Sequence, residues 1–340
     1  MSTNDKITLS RRHALGAITA GAALAALTGR ARADDKPAPS NALSIARLPN
    51  GSGYYKFKVG ELDVYSFGDG DGAIPAYPLI GENASEEKVA AALAADFLDP
   101  KTAAIAFNVP LVRTPAGVVL FDTGNGEAGQ SRGSGLLLRH LAFAGIKPEE
   151  VIAVVITHLH GDHVGGLTNA DGKLVFPSAR YYIQKNEADF WTGTAPDLSH
   201  STADDATKKQ FIAIANAAFA KIKANAELID GAKEIVPGVR VEPAFGHTPG
   251  HQVAHIASGS EQLLLITDCI HHHCLSLRHP DWHLRFDADA QKGAATRAKM
   301  LDRAAADKAM VLAYHMPFPG VGHVRKQGDG FEWVPAAWKW

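Results

Sequence analysis

The sequence is short of cysteine, of long apolar runs and of surplus positive charge, and each shortage excludes something. Two cysteines in 340 residues, Cys269 and Cys274, cannot build a disulfide framework, so an ordinary apolar core must hold the fold. Five residues apart, they read as free thiols. No apolar run approaches the ~20 residues needed to span a bilayer. A formal net charge of −2 argues against a nucleic-acid surface, which selects clustered Lys and Arg. Neither an internal repeat nor a glycine-rich phosphate loop of the Walker type is present.

What is present begins with an address. Ser10-Arg11-Arg12, the modestly apolar stretch Ala14 to Leu27, and Ala31-Arg32-Ala33 read as a twin-arginine signal peptide with an A-x-A cleavage site, over residues 1–33. The expectation is that the twin-arginine machinery exports a folded, metal-loaded protein to the periplasm or the medium. Losing that segment removes five basic residues and one acidic one, which makes the remainder more acidic. Residues 34–50, rich in Pro, Ala and Ser, read as a flexible linker, and 51–340 as one domain. The oligomeric state stays open, a homodimer included.

The chemistry is concentrated at Thr157-His158-Leu159-His160-Gly161-Asp162-His163. It follows Val151-Ile152-Ala153-Val154-Val155-Ile156, an unbroken apolar run that reads as a buried strand. His158 and His160 are two apart and point the same way from an extended chain, so they can share an ion. Asp162 and His163, past the turn at Gly161, can hold a second. Three further apolar strands, ending near His247, Asp268 and His315, each place a ligand-type residue at a carboxyl edge, where open α/β sheets build their sites.

Elsewhere Leu62 to Phe67 alternates as a half-buried strand and stops at Gly68-Asp69-Gly70-Asp71-Gly72, which reads as a turn-rich loop. A helix starts at Asn83-Ala84-Ser85-Glu86, with Val89, Leu93 and Phe97 on one face. Lys173 to Phe176 and Arg180 to Ile183 read as strands, and Asp204 to Asn225 as a long amphipathic helix. Periodicity alone says α/β.

The H-x-H-x-D-H order over 158–163 resembles the signature of the metallo-β-lactamase superfamily. Asp122-Thr123-Gly124 resembles its D-T-G turn, and Gly246-His247-Thr248-Pro249-Gly250-His251 its G-H-T-P-G-H segment. Ala188-Asp189-Phe190-Trp191, Phe286-Asp287-Ala288-Asp289 and Tyr314 to Val324 look like the methyl parathion hydrolase and dihydrocoumarin hydrolase group. The resemblance runs from about Asp63 to the C-terminus. It implies a four-layer αββα sandwich holding two divalent ions, zinc first, with manganese, cobalt and iron open. One ion would take His158, His160 and His247, the other Asp162, His163 and His315, with Asp268 bridging. Asp122 would orient a ligand imidazole, supported by Thr267 and His251. Trp191, His271, Phe286 and Phe318 would line the substrate pocket.

Two ions about 3.5–4 Å apart lower the pKa of a shared water from about 15.7 toward about 7, and the resulting hydroxide can attack carbon or phosphorus. The expected reaction is therefore hydrolysis of a lactone or aryl ester, with Asp268 and His271 as catalytic residues. Phosphotriester cleavage is expected as a side activity. One departure sets that preference: Ile270-His271-His272-His273-Cys274 stands where the organophosphate-degrading members are mainly aliphatic. A polar donor at His271 suits a carbonyl ester better than an apolar phosphotriester. Clustered His and Cys can also bind an ion of their own. The alternatives are a phosphotriesterase as the main activity, a mono-iron sulfur dioxygenase of the same fold, and a non-catalytic module.

Overall fold

Val151–Val155 is apolar because both of its faces are covered at every position but Ile152, which is 38% exposed. In the computed structural model, which describes residues 53–337, Val154 faces a core beneath helices, while Ala153 and Val155 face a second core between two sheets. A period of two then leaves no polar side. The expected signal peptide (1–33) and linker (34–50) lie outside the described residues.

The first sheet takes seven strands in chain order: β1 (Tyr54–Val59), β2 (Leu62–Pro75), β3 (Thr102–Thr114), β4 (Gly117–Phe121), β5 (Val151–Val155), β6 (Arg180–Gln184) and β7 (Ala226–Ile229). Pairing is antiparallel up to β4 and parallel from there to β7. The second sheet takes β8 (Lys233–Val236), β9 (Val239–Pro243), β10 (Gln252–Ser258), β11 (Glu261–Leu265), β12 (Met310–Leu312), β13 (Val321–Gln327) and β14 (Gly330–Pro335). Only β11 and β12 pair in parallel there, joined by a helical crossover.

The helices are α1 (Glu86–Ala94), α2 (Leu137–Phe143), α3 (Gly161–Val164), α4 (Lys185–Thr192), α5 (Asp205–Ile222), α6 (Leu275–Arg278) and α7 (Ala290–Ala306). Leu137 and Leu141 of α2, Trp191 of α4 and Ala215, Ala218 and Ile222 of α5 cover the outer face of the first sheet. Met300, Leu301 and Ala304 of α7 cover the second. Val64, Val112, Val119 and Phe121 meet Val241, Ile256, Leu263 and Leu265 between the sheets. Helices, sheet, sheet and helices make the αββα sandwich expected from the resemblance. The long helices start where a carboxylate caps them: Asp204 accepts from Thr207 N at 2.8 Å and Asp289 from Lys292 N at 2.9 Å.

Three local expectations need correction. The Gly68–Gly72 run is not a loop but the middle of β2, with a bulge between Gly68 and Asp71. The bulge turns Asp69 inward, where the backbone N–H groups of Asn125, Gly135 and Leu137 satisfy its carboxylate. Phe97 does not share the buried face of α1. The helix ends at Ala94, the chain turns through Phe97 at φ 60°, and the ring is 99% exposed. Lys173 to Phe176 forms no strand, only an isolated bridge from Leu174 to Thr168. Its apolarity reflects a loop whose Phe176 is buried in the core.

Candidate metal centre

Five strand ends converge on one edge of the sandwich. β4 delivers Asp122, β5 delivers 157–163, β9 leads to His247, β11 to Asp268 and β12 to His315. Asp268 lies in a short 3-10 turn, Thr267–Cys269, rather than on an extended strand. That turn sends Cys269 into the core beside Ile270 and Leu277 and leaves Asp268 facing the cluster.

The donor atoms form two groups. His247 Nε2 lies 3.2 Å from His158 Nε2 and 3.0 Å from His160 Nδ1. His163 Nε2 lies 3.5 Å, and His315 Nε2 3.6 Å, from Asp162 Oδ2. Asp268 stands between them. Its Oδ2 is 3.4 Å from His247 Nε2 and 3.0 Å from His315 Nε2, and its Oδ1 is 3.3 Å from His163 Nε2. A tetrahedral ion with bonds of about 2.0–2.1 Å has ligand-to-ligand edges of about 3.3 Å. Each trio matches that spacing closely enough to receive one ion.

Burial supports the same reading. His163 Nε2 and Asp268 Oδ1 are buried with no hydrogen-bond partner among the described residues, a costly arrangement unless something else binds there. Burial drives the imidazoles of His158, His160 and His247 well below their ordinary range, so the rings are neutral and offer lone pairs. Burial also opposes charge on His163, but the carboxylates of Asp268, Asp162 and Asp122 outweigh it and raise that ring well above its usual value. Asp268 mirrors this: burial resists ionisation, and His163 and His315 hold its carboxyl well below the carboxylate range. These residues therefore fit divalent metal ions.

The ligand rings are gripped from behind. Asp122 Oδ2 bonds His163 Nδ1 at 2.8 Å and accepts from Thr157 Oγ1 at 2.7 Å. Asp287 Oδ1 bonds His247 Nδ1 at 2.8 Å, and burial pushes its carboxyl up to about 6. His315 Nδ1 donates to the Ala106 carbonyl at 3.0 Å, and Tyr314 stacks on His163 with ring centroids 4.0 Å apart. His251 joins the Ala244 carbonyl to Thr267 Oγ1, and its ring lies edge-on to those of His158 and His247. Arg297, buried, donates to the carbonyls of Cys269, Pro280 and Trp282 and so pins the segment carrying Asp268.

Glu187 escaped the sequence reading. Its buried carboxylate accepts from Leu159 N (2.9 Å), Trp191 Nε1 (2.7 Å), Thr248 Oγ1 (2.6 Å) and Gly250 N (2.8 Å), and so ties the turn of His158 and His160 to the turn of His247. Gly250 permits the approach, since a Cβ there would come within 2.2 Å of Glu187 N. The available signal was a carboxylate four residues before Trp191, on the apolar face of α4. Asp287 was legible only as part of a resembling segment.

A cavity of about 560 Å³ opens over the donors, with His160, Asp162, His247, Asp268, His271 and His315 at its base. Ile74, Ile105, Phe107, Phe211, Ile214 and Phe286 give it apolar walls, and Asn125, Arg132 and Gln210 supply polar groups. His271 lines it, with Nε2 3.2 Å from Asp268 Oδ2 and its ring stacked against His315. Two pocket assignments need correction. Trp191 is buried beneath His160 and bound to Glu187, so it supports a ligand and does not touch the cavity. Phe318 lines a neighbouring cavity of about 630 Å³, because the turn after His315 carries it to the other side of the β2–β3 wall.

Comparison with known proteins agrees with the geometry. The Metallo-beta-lactamase superfamily profile matches residues 108–315. AidC, a dizinc quorum-quenching lactonase solved with a product, superposes with a TM-score of 0.80 at 30% identity, over 84% of this chain and 98% of that one. The hydrolase AbOPH, of the beta lactamase superfamily, superposes with a TM-score of 0.76 at 26% identity, over 86% of this chain and 100% of that one. An N-acyl homoserine lactonase of Bacillus cereus is 28% identical over 123 residues, 36% of this chain and 40% of the relative's own length. The matched fold, the profile over the strand ends that carry the donors, and a dizinc relative matched over nearly its whole length lead to one conclusion: the chain belongs to the metallo-β-lactamase superfamily and is a hydrolase homologous to dizinc lactonases.

Proposed function

We propose that this protein hydrolyses lactones, N-acylated homoserine lactones among them, with aryl esters as secondary and phosphotriesters as weak substrates. The observation that carries the reading is Asp268 standing between two donor trios at the base of an apolar-walled cavity. His158, His160 and His247 would hold one ion, Asp162, His163 and His315 the other, and Asp268 would contact both. Zinc is preferred for this nitrogen-rich set. Two such ions supply, when bound, a nucleophile at neutral pH and a Lewis acid for the ester carbonyl.

The chain's own residues do the rest. Asp122 and Asp287 fix the tautomers of His163 and His247, so that each presents a lone pair at Nε2. Phe107, Phe211, Ile214 and Phe286 exclude water from an acyl chain or aryl group. His271, in the wall and within reach of Asp268, would hand a proton to the departing oxygen. An alkoxide needs that proton far more than a nitrophenoxide does.

Assays of purified protein with an acyl-homoserine lactone, an alkyl ester, an aryl ester and a phosphotriester test the substrate order. Lactone turnover should lead, and a phosphotriester as the best substrate would refute the proposal. His271→Leu tests the proton donor. It should slow lactone and alkyl-ester hydrolysis by about 10²–10⁴-fold, the range for a general acid. Aryl-ester hydrolysis should fall much less and phosphotriester turnover should be spared. Equal losses in kcat/KM across the panel would remove His271 from this role.

A further inference from the structure

The run His271-His272-His273-Cys274 is only partly used by the central site. His271 faces Asp268, but the chain then turns into α6, and Cys274 points away into an apolar cluster with Ala76, Ile80, Val89 and Leu93. There it meets the connection that follows α1. A carboxylate oxygen of Asp96, a ring nitrogen of His273 and the sulfur of Cys274 all lie within 4.8 Å of one another. His272 places a second imidazole beside them, with Nδ1 3.3 Å from Cys274 Sγ and its ring stacked on His273 at 4.5 Å. Arg278 Nη2 bonds Asp96 Oδ1 at 2.6 Å, which leaves the other carboxylate oxygen available.

We infer that Asp96, His273 and Cys274 form a separate zinc site, a third ion position outside the binuclear cluster. Sulfur, imidazole and carboxylate together match a borderline-soft divalent ion and discriminate against magnesium or calcium, which take oxygen. With bonds of about 2.3 Å to sulfur and about 2.0–2.2 Å to nitrogen and oxygen, ligand edges are near 3.3–3.7 Å, so small side-chain rotations close the observed trio onto an ion. Asp96 and His273 are half-buried, and His273 lines the neighbouring cavity, which gives an ion a way in. Burial pushes the Cys274 thiol up to about 12. The metal-free thiol is therefore protonated, and binding replaces the S–H bond by a sulfur–zinc bond and releases one proton to solvent. The ion would tie the end of α1 to the segment that carries His271, bracing that wall without joining the chemistry.

The central donors include no thiolate, so sulfur ligation is a private signature of this site. The full-length protein, its central sites filled with zinc, is titrated with Co(II) and followed in the near ultraviolet. The expected result is a third equivalent per chain that carries a thiolate-to-cobalt charge-transfer band. Cys274→Ser should lose that band and the third equivalent while keeping two ions and lactone hydrolysis. His273→Ala should bind the third ion about tenfold more weakly or worse. Cys269→Ser, altered in the core on the other side of Asp268, should keep the band. A wild-type protein that takes up no cobalt beyond its two zinc ions, or a band that survives Cys274→Ser, overturns the site. Neither result touches the two-ion reading of the centre.

Discussion

The two sheets contribute to the metal centre in opposite ways. The first supplies four donors from six consecutive residues, His158 to His163, at the end of a single strand. The second supplies His247, Asp268 and His315 one at a time, each from its own strand end. A contiguous set is positioned by local backbone geometry and keeps its spacing whatever happens elsewhere. A dispersed set exists only if sheet register, crossover and loop contacts all hold. The second sheet therefore needs more anchoring, and it has it: Asp287 on His247, Arg297 on the Asp268 segment, and Asn108 from β3 donating to the carbonyls of Ala313 and Met316 on either side of His315.

The largest expected effect comes from the residue shared by both groups. Asp268→Asn replaces a carboxylate that faces both trios with a neutral amide. Bound metal should fall well below two ions per chain, and kcat/KM should drop by more than the about 10²–10³-fold lost with a single oxyanion donor. Elemental analysis and steady-state rates measure it. Two tightly held ions with near-normal turnover would mean that the halves do not meet at Asp268.

Glu187 is the bond between the halves on the other side of the cluster. Glu187→Gln introduces an amide donor among four donors and should cost about 1–3 kcal/mol for each group left unsatisfied. Thermal unfolding should show that loss in the metal-free protein. Metal analysis should show weakening at the ion of His160 and His247 first. Unchanged melting would show that the two turns hold their places without it.

Asp122→Asn and Asp287→Asn separate the two ions. Each removes the acceptor behind one ligand ring, and each should weaken one ion by about 10–100-fold: Asp122 the ion of His163, Asp287 that of His247. Competition with a chelator, followed by stoichiometry, distinguishes them. Parallel loss of both ions in each variant would mean that the centre loads as one unit.

The smallest effect distinguishes the two cavities. Phe286→Ala should raise KM for a long-chain acyl lactone about tenfold, near 1.4 kcal/mol of lost apolar contact. Phe318→Ala, altered in the neighbouring cavity, should leave KM unchanged. A reversed order would place the acyl chain on the other side of the β2–β3 wall.

How much could be read beforehand follows the same division. The H-x-H-x-D-H cluster, the buried strand before it and the strand ends at His247, Asp268 and His315 were legible, because apolar runs report burial and ligand types at their ends are rare. Glu187 was not, since nothing in its neighbours along the chain shows that four donors from three segments will surround one carboxylate. Trp191 and Phe318 looked like pocket aromatics because side-chain type gives no direction. Packing sent one beneath His160 and the other across a wall.

Local covalent geometry was enough to place His158, His160, Asp162 and His163 together, since two-residue spacing and a glycine turn act over a few ångströms of chain. His158 and His247, 89 residues apart, come within 3.2 Å only because β10 lies between β9 and β11 in the second sheet, whose strand ends open toward β5 across the shared core. No local rule carries that information. It resides in the burial of Val119, Phe121 and Val155 against Val241, Ile256 and Leu265, which brings the two edges together.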